Sequence, residues 1–108
     1  MADAAATPAP SLSAAACTSL ADVRREIDRL DEAIVGLLAE RGHYVMAAAR
    51  FKRSVEEVHA PARVEQVVAH VREVAQRRGA MPDVVEQTYR TLIAAFTVAE
   101  RAEKERLG

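Results

Sequence analysis

The sequence predicts an all-α fold of three helices, in which the first helix is long enough to require a second copy of the chain. Apolar residues recur at steps of three and four from Leu20 to Leu37, which is the repeat of one helix face. Pro61 and Pro82 stand where a second and a third helix would begin, and Gly79 stands where the second would end. No segment has the alternation of a half-buried strand.

Length and charge limit the classes of function. The chain has 108 residues, half of them apolar, which is enough for one domain with a modest core. It has 15 basic and 16 acidic residues, so its composition favours neither nucleic acid nor an anionic membrane as a partner. No run of about 18 apolar residues is present, so no transmembrane segment is predicted.

The chain divides into a tail and one helical domain. Residues 1–17 are rich in Ala, Pro and Ser and are predicted to be a disordered tail, and residues 18–108 form the domain. The tail lacks the basic start and the apolar centre of a secretory signal, so the sequence predicts a cytoplasmic protein.

The first helix is expected to begin at Thr18 or Ser19 and to run to about Arg53. Ser19 and Asp22 have the spacing of a capping box, and no proline interrupts the helix. About 34 helical residues would make a rod of about 50 Å. A compact chain of this size has a radius of gyration of only about 13 Å, so we expect a homodimer to cover the rod.

The second helix follows a predicted loop at residues 54–60 and runs from Pro61 to the Gly79 cap. Its predicted apolar face consists of Val64, Val67, Val68, Val71, Val74 and Ala75.

The third helix is predicted to start at Pro82 and Asp83, after a short turn. Its predicted inner face consists of Val85, Tyr89, Leu92, Phe96 and Ala99. The helix ends in a charged run, residues 100–106, whose tail is expected to be solvated and frayed.

The apolar stripe of the first helix turns basic partway along. Continuing its rhythm leads to Arg41, Val45, Ala48 and Lys52, so two cations occupy positions where the pattern calls for leucine. On a continuous helix they would point the same way about 16 Å apart. A buried cation without a partner is very costly, so the pattern indicates an anionic ligand in a pocket. The alternative is that the stripe drifts and Arg41 leaves the core for solvent.

Arg24 lies too far back on the first helix to reach the pocket of its own chain. If two long helices pair antiparallel, Arg24 of the partner subunit would join Arg41 and Lys52. The alternative is a surface ion pair between Arg24 and Asp28, worth at most about 0.5 kcal/mol.

Arg63 and Glu100 are two further candidates, each with an ordinary alternative. Arg63 would be either a cation that closes the site or a solvated residue of the first turn. Glu100 follows Ile93 and Phe96 at helical spacing, so it would either face inward or belong to the solvated run.

The remaining reactive residues form no recognisable site. His43, His59 and His70 lack metal-ligand spacing, so we interpret them as surface or packing residues. Cys17 is the only cysteine and has no histidine placed to activate it. There is no glycine-rich phosphate loop.

Several stretches resemble the all-helical chorismate mutases. The similarity is carried by residues 17–24 and 27–31, by Arg41 with the segment around Lys52, and by residues 60–64. It extends from residue 17 to about 104 and is greatest to the branch that contains isochorismate-pyruvate lyase. The Arg, Arg and Lys spacing is fairly specific, whereas the apolar pattern is not.

The resemblance implies an intertwined homodimer with two equivalent sites and no metal or organic cofactor. By resemblance, Arg41 and Arg24 of the partner subunit hold the two carboxylates of the substrate, and Lys52 reaches the ether oxygen and a carboxylate. Arg63 would close the site, and Glu100 matches a Gln or Glu that donates to the ether oxygen. Val45 and Ala48 would line the pocket.

The implied activity is the rearrangement of chorismate to prephenate, in aromatic amino acid biosynthesis. The alternative is an isochorismate-pyruvate lyase, which forms salicylate and pyruvate in salicylate biosynthesis. Val64 stands where typical mutases have an acidic residue, as in the lyase branch, whereas a Glu at position 100 occurs among some mutases. A third possibility, of another class, is a helical dimer module without catalytic activity.

Overall fold

The computed structural model describes residues 10–108, which contain three α-helices and two short 3-10 helices. The α-helices are α1 (Leu20–Ala49), α2 (Pro61–Arg78) and α3 (Pro82–Leu107). The 3-10 helices are Ala14–Ala16 and Val55–Val58, and residues 10–108 contain no strand. The all-α prediction is therefore confirmed. The chain divides into two compact units, Met1–His43 and Tyr44–Gly108, which are described separately below.

The start of α1 follows the predicted capping signal. The hydroxyl oxygen of Ser19 accepts a hydrogen bond from the backbone N–H of Asp22 at 3.0 Å. The carboxylate of Asp22 reaches back and accepts from the backbone N–H of Thr18, also at 3.0 Å. This backbone donor is the main reason that the pKa of Asp22 is lowered. The N–H of Asp22, which the first turn would leave unpaired, is thus satisfied, as is the N–H of Thr18 just before the helix, and the helix begins at Leu20.

Part of the predicted tail folds onto the first unit. Its residues 1–9 lie outside the described residues, and Ala14–Ala16 form a 3-10 helix. Ser11 donates its backbone N–H to Glu26 Oε1 at 3.3 Å and its hydroxyl to Glu26 Oε2. The side-chain bond from Ser11 is the main cause of the lowered pKa of Glu26.

The end of the first helix was predicted wrongly. The α-helix stops at Ala49 instead of continuing to about Arg53. Arg50, Phe51 and Lys52 donate their N–H groups to carbonyls three residues back, at 3.1, 3.0 and 3.4 Å, which tightens the chain out of the α-helical pattern. Lys52 therefore lies beyond the helix, so the prediction that it shares a helical face with Arg41 is wrong.

The segment after Lys52 is also more ordered than the predicted loop. Residues 54–60 include the 3-10 helix Val55–Val58, which packs against α3 and buries Val58. A buried valine in this connection fixes the path of the chain between α1 and α2.

The second unit is organised by the pairing of α2 with α3. Every residue of the predicted α2 face is buried or half-buried, and the helix ends at Gly79 with a positive φ of 72°. Arg72 binds Asp83 at 3.0 Å and Glu86 at 2.8 Å, and Arg90 binds Glu65 at 2.9 Å. Since residues earlier in α2 bind residues later in α3, the two helices run antiparallel.

The inner face of α3 is confirmed except at its C-terminal end. Val85, Tyr89, Leu92 and Phe96 are half-buried, but Ala99 is exposed and Glu100 is buried in its place. The terminal run is helical as far as Leu107, where the prediction was a frayed end. Arg106 binds Glu103 one turn earlier at 2.7 Å, which supports this last part of the helix.

Two glycines should respond in opposite directions to alanine. Gly79 has a left-handed backbone, so Gly79→Ala should lower the free energy of unfolding by about 1 kcal/mol. Gly36 lies within α1 and nothing stands within 4 Å of an added Cβ, so Gly36→Ala should raise it by up to about 1 kcal/mol. Urea unfolding at one fixed protein concentration measures both. Changes of the same sign would contradict the assigned backbone at Gly79.

Candidate active site

A part-buried ion pair joins Lys52, just after α1, to Glu100 on α3 within the second unit. Lys52 Nζ donates to Glu100 Oε2 at 2.5 Å. The Glu100 residue is 6% exposed and the Lys52 side chain is 27% exposed. The expectation that Glu100 belongs to a solvated run is therefore wrong, and its inward alternative describes the structure. Two groups that lie 48 positions apart in the sequence meet at one point.

Each partner of this pair is positioned by a local feature of the chain. Glu100 lies on α3 two turns after Ile93, so the helical repeat turns it toward the half-buried face. Lys52 directly follows the tightened turn that ends α1. Its amine stays partly open to solvent, so an incoming anion would meet a cation that is already held in place.

The residues just after Lys52 are tied to each other by Glu57. Arg53 donates its backbone N–H to Glu57 Oε2 at 2.9 Å and its Nε to Glu57 Oε1 at 2.8 Å. These bonds lower the pKa of Glu57, the backbone bond most of all, and the positive charge of Lys104 on α3 adds to the effect. The carboxylate therefore stays ionised across the neutral range.

Sequence reasoning missed Glu57, although a signal was present. Ser54 followed three residues later by Glu57 has the spacing of a capping box, and it stands at the start of a 3-10 helix. The carboxylate of Glu57 accepts from the backbone N–H of Arg53, the residue before Ser54. The carboxylate of Asp22 accepts in the same way from Thr18, the residue before Ser19. The segment was predicted to be a loop because it lacks an apolar helical period, which hid this signal.

Three other predicted site residues belong to the second unit. Val45 and Ala48 are half-buried near the end of α1. Arg63 is exposed in the first turn of α2, where its Nη1 approaches Gln66 Oε1 at 3.5 Å. A bond of this length within one turn leaves the guanidinium available to a ligand.

The two remaining candidates, Arg24 and Arg41, belong to the first unit. Arg41 is half-buried. Arg24 is exposed and forms no ion pair with any residue of the described chain, so the predicted alternative of a pair with Asp28 is not what the structure has. Its charge is presented to solvent in the single chain.

The apolar stripe of α1 is also largely uncovered in the single chain. Leu20, Val23, Ile27, Leu30, Ile34 and Leu37 are each between 38% and 60% exposed. Within residues 10–108 no large side chain is fully buried, so the core of one chain is thin. A row of half-exposed aliphatic side chains of this length marks an interaction surface.

The described part of the chain holds no group of three or more His, Cys, Asp and Glu side chains arranged to bind a metal ion. None of the helices between residues 10 and 108 combines the length and the apolarity needed to cross a membrane.

The chemistry at the Lys52 and Glu100 pair is that of a fixed hydrogen-bond donor next to a carboxyl group. Such a pair can bind an oxygen atom and stabilise charge that develops on it.

Comparison with known proteins places this arrangement in context. The sequence profile of a family described as chorismate mutase type II matches residues 23–101. The chain is also 40% identical, over 77 residues, to the isochorismate pyruvate lyase of Pseudomonas aeruginosa. That similarity covers 71% of this chain and 76% of the relative.

Proposed function

Since this chain belongs to the chorismate mutase type II family, we propose that it is an enzyme that rearranges chorismate to prephenate. The observation that supports this most directly is the pairing of Lys52 with the buried Glu100. Those are the two groups that the reaction would need at the ether oxygen of the substrate. We propose that the enzyme acts in the cytoplasm, in chorismate metabolism.

The proposed mechanism needs positioning and electrostatics but no covalent intermediate. The bond between the ring and the ether oxygen breaks as a C–C bond forms between the methylene carbon of the enolpyruvyl group and the ring. Arginines hold the two carboxylates, because a planar guanidinium can bind a carboxylate through two parallel hydrogen bonds. The site keeps the side chain folded over the ring, and Lys52 stabilises the negative charge that grows on the ether oxygen.

The proposed site is shared between two subunits. Arg41, Lys52, Arg63 and Glu100 would come from one chain and Arg24 from the partner subunit, with Val45 and Ala48 lining the pocket. The exposed apolar stripe of α1 supports a homodimer, because burying it against a second copy would remove that surface from water. Arg24 is exposed and forms no ion pair within residues 10–108, which is in keeping with a role across the interface.

A second reaction is supported by the relative. Isochorismate would bind through the same two carboxylates. A ring hydrogen would move to the methylene carbon of the folded side chain as the bond between the ring and the ether oxygen breaks, which would give salicylate and pyruvate. The isochorismate pyruvate lyase of Pseudomonas aeruginosa is 40% identical to this chain, and Val64 is an apolar residue where typical mutases are acidic. A glutamate at position 100, which occurs among some mutases of the family, favours the mutase over the lyase.

The test is direct turnover by the purified dimer. Chorismate and isochorismate are supplied separately, and prephenate, salicylate and pyruvate are quantified by chromatography. A higher kcat/KM with chorismate supports the mutase, and a higher value with isochorismate establishes the lyase instead. No turnover of either substrate would leave the non-catalytic dimer module as the better description.

A mixed dimer should recover activity that neither single variant has. Arg24→Ala and Arg41→Ala are each expected to be inactive, since each removes one carboxylate-binding arginine from every site. When the two chains are refolded together, half of randomly paired dimers are mixed, and each has one site with both arginines. Activity should return to roughly a quarter of that of the unmodified enzyme.

The measurement is the steady-state rate, with mixed dimers verified by native mass spectrometry on chains of different tag mass. Either variant refolded alone is the control. Absence of recovery in verified mixed dimers would contradict a site shared between subunits.

A further inference from the structure

The segment of residues 52–58, which we call the clasp, is attached to α3 at both ends. At its start, Lys52 Nζ binds Glu100 Oε2 at 2.5 Å. At its end, Val58 is 4% exposed, and its 3-10 helix packs against α3. The position of Lys52 therefore depends on how the five residues between these two points are held.

Glu57 forms hydrogen bonds with two other residues of the clasp, Arg53 and Ser54. The N–H of Arg53 belongs to the peptide group that joins Lys52 to Arg53, and it donates to Glu57 Oε2 at 2.9 Å. The Glu57 backbone N–H in turn donates to the Ser54 carbonyl at 3.2 Å. The carboxylate thus fixes the orientation of the peptide that immediately follows Lys52.

The second bond to Glu57, from the guanidinium of Arg53, is less important for this purpose. The Arg53 side chain is 91% exposed, and ion pairs in that setting contribute little. A charge-assisted hydrogen bond from a backbone N–H to a carboxylate is stronger than a neutral one and constrains the main chain directly. The positive charge of Lys104 on α3 makes only the smallest contribution to lowering the pKa of Glu57, and no ion pair joins these two side chains in the described residues.

We propose that Glu57 is a positioning residue, which keeps the amine of Lys52 directed at Glu100 by fixing the peptide group between Lys52 and Arg53. Its importance for turnover rests on the proposed function. Glu57 contacts neither the substrate nor the reacting atoms, and it acts through the clasp. Without it, Lys52 would spend part of its time turned away from the site, and the rate of the chemical step would fall.

The accessibility of the Lys52 amine can be measured by chemical modification, because the chain contains only two lysines, Lys52 and Lys104. Acetic anhydride in limiting amount acetylates the free amines, and mass spectrometry of peptides gives the rate at each lysine. In Glu57→Ala the rate at Lys52 should rise several-fold. The matched control is Glu56→Ala, which removes an exposed carboxylate from the same 3-10 helix and should leave the rate at Lys52 unchanged.

Two further variants separate the backbone bond from the ion pair. Arg53→Ala removes the guanidinium but keeps the backbone N–H, so the rate at Lys52 should stay near that of the unmodified chain. Glu57→Gln has nearly the same shape and keeps an oxygen that can accept from the backbone N–H. Its acetylation rate at Lys52 should lie between those of the unmodified chain and Glu57→Ala. Such a graded response would distinguish loss of the hydrogen bond from misfolding.

Glu57→Ala is expected to lower kcat by up to about tenfold and to leave KM nearly unchanged. The reason is that Lys52 is misplaced while the arginines still bind the carboxylates. Equal acetylation rates at Lys52 in Glu57→Ala and Glu56→Ala would overturn the proposal. Faster acetylation with an unchanged kcat would overturn its catalytic part. If the unmodified enzyme turned over neither substrate, the proposed function would fail, and the acetylation rates would still decide whether Glu57 holds Lys52.

Discussion

Lys52→Ala is expected to lower kcat by about 10²-fold or more while KM changes little. The reason is that the ether oxygen becomes strongly negative only as its bond to carbon breaks, so the ammonium group acts mainly on the transition state. In the structure this group is held at 2.5 Å from Glu100 and is half-buried. A donor that is fixed in advance needs no reorganisation during the reaction. Steady-state kinetics with the preferred substrate measures the effect.

The substitution also leaves Glu100 buried without its cation, which would destabilise the fold by itself. The double variant Lys52→Ala with Glu100→Gln removes that charge and separates lost stability from lost catalysis. Lys104→Ala is the control for loss of a lysine and should keep kcat close to that of the unmodified enzyme. A raised KM with an unchanged kcat would make Lys52 a simple carboxylate anchor. Full activity would contradict any part for Lys52 in turnover.

The helix boundaries that could be predicted are those marked by local chemistry. Pro61 begins α2, Gly79 ends it and Pro82 begins α3, because each residue restricts its own backbone whatever surrounds it. The end of α1 has no such marker. It is set by contacts distant in sequence, namely Val58 packing on α3 and Lys52 binding Glu100. No count of apolar positions along one helix contains that information.

The candidate site divides in the same way. The resemblance assigned both Lys52 and Glu100 to the ether oxygen, and the structure brings these two side chains together. Periodicity predicted Lys52 on the helix and left Glu100 undecided, because Glu100 follows the inner face at helical spacing but also begins the charged run at the end of the chain. The parts assigned to Arg24, Arg41 and Arg63 stay predictions, since the proposed site takes Arg24 from a second chain.

Glu100→Gln is expected to keep its activity at alkaline pH, where that of the unmodified enzyme should fall. In the structure the Glu100 carboxylate accepts a hydrogen bond from Lys52. An ionised carboxylate can only accept, so Glu100 can donate to the ether oxygen only when it carries a proton. If it is that donor, kcat/KM should fall as the pH rises, because only the protonated carboxyl can donate. The amide of Glu100→Gln donates at every pH, so the variant should keep its activity on the alkaline side.

The measurement is kcat/KM against pH for both proteins, with dimer integrity checked by size-exclusion chromatography at each pH. Glu105→Gln, an exposed carboxyl on the same helix, is the matched control and should retain the profile of the unmodified enzyme. Profiles of the same shape for Glu100→Gln and the unmodified enzyme would mean that Glu100 is not the ether donor. Its burial against Lys52 would then have one remaining consequence for the reaction, which is to hold that amine where the ether oxygen must bind.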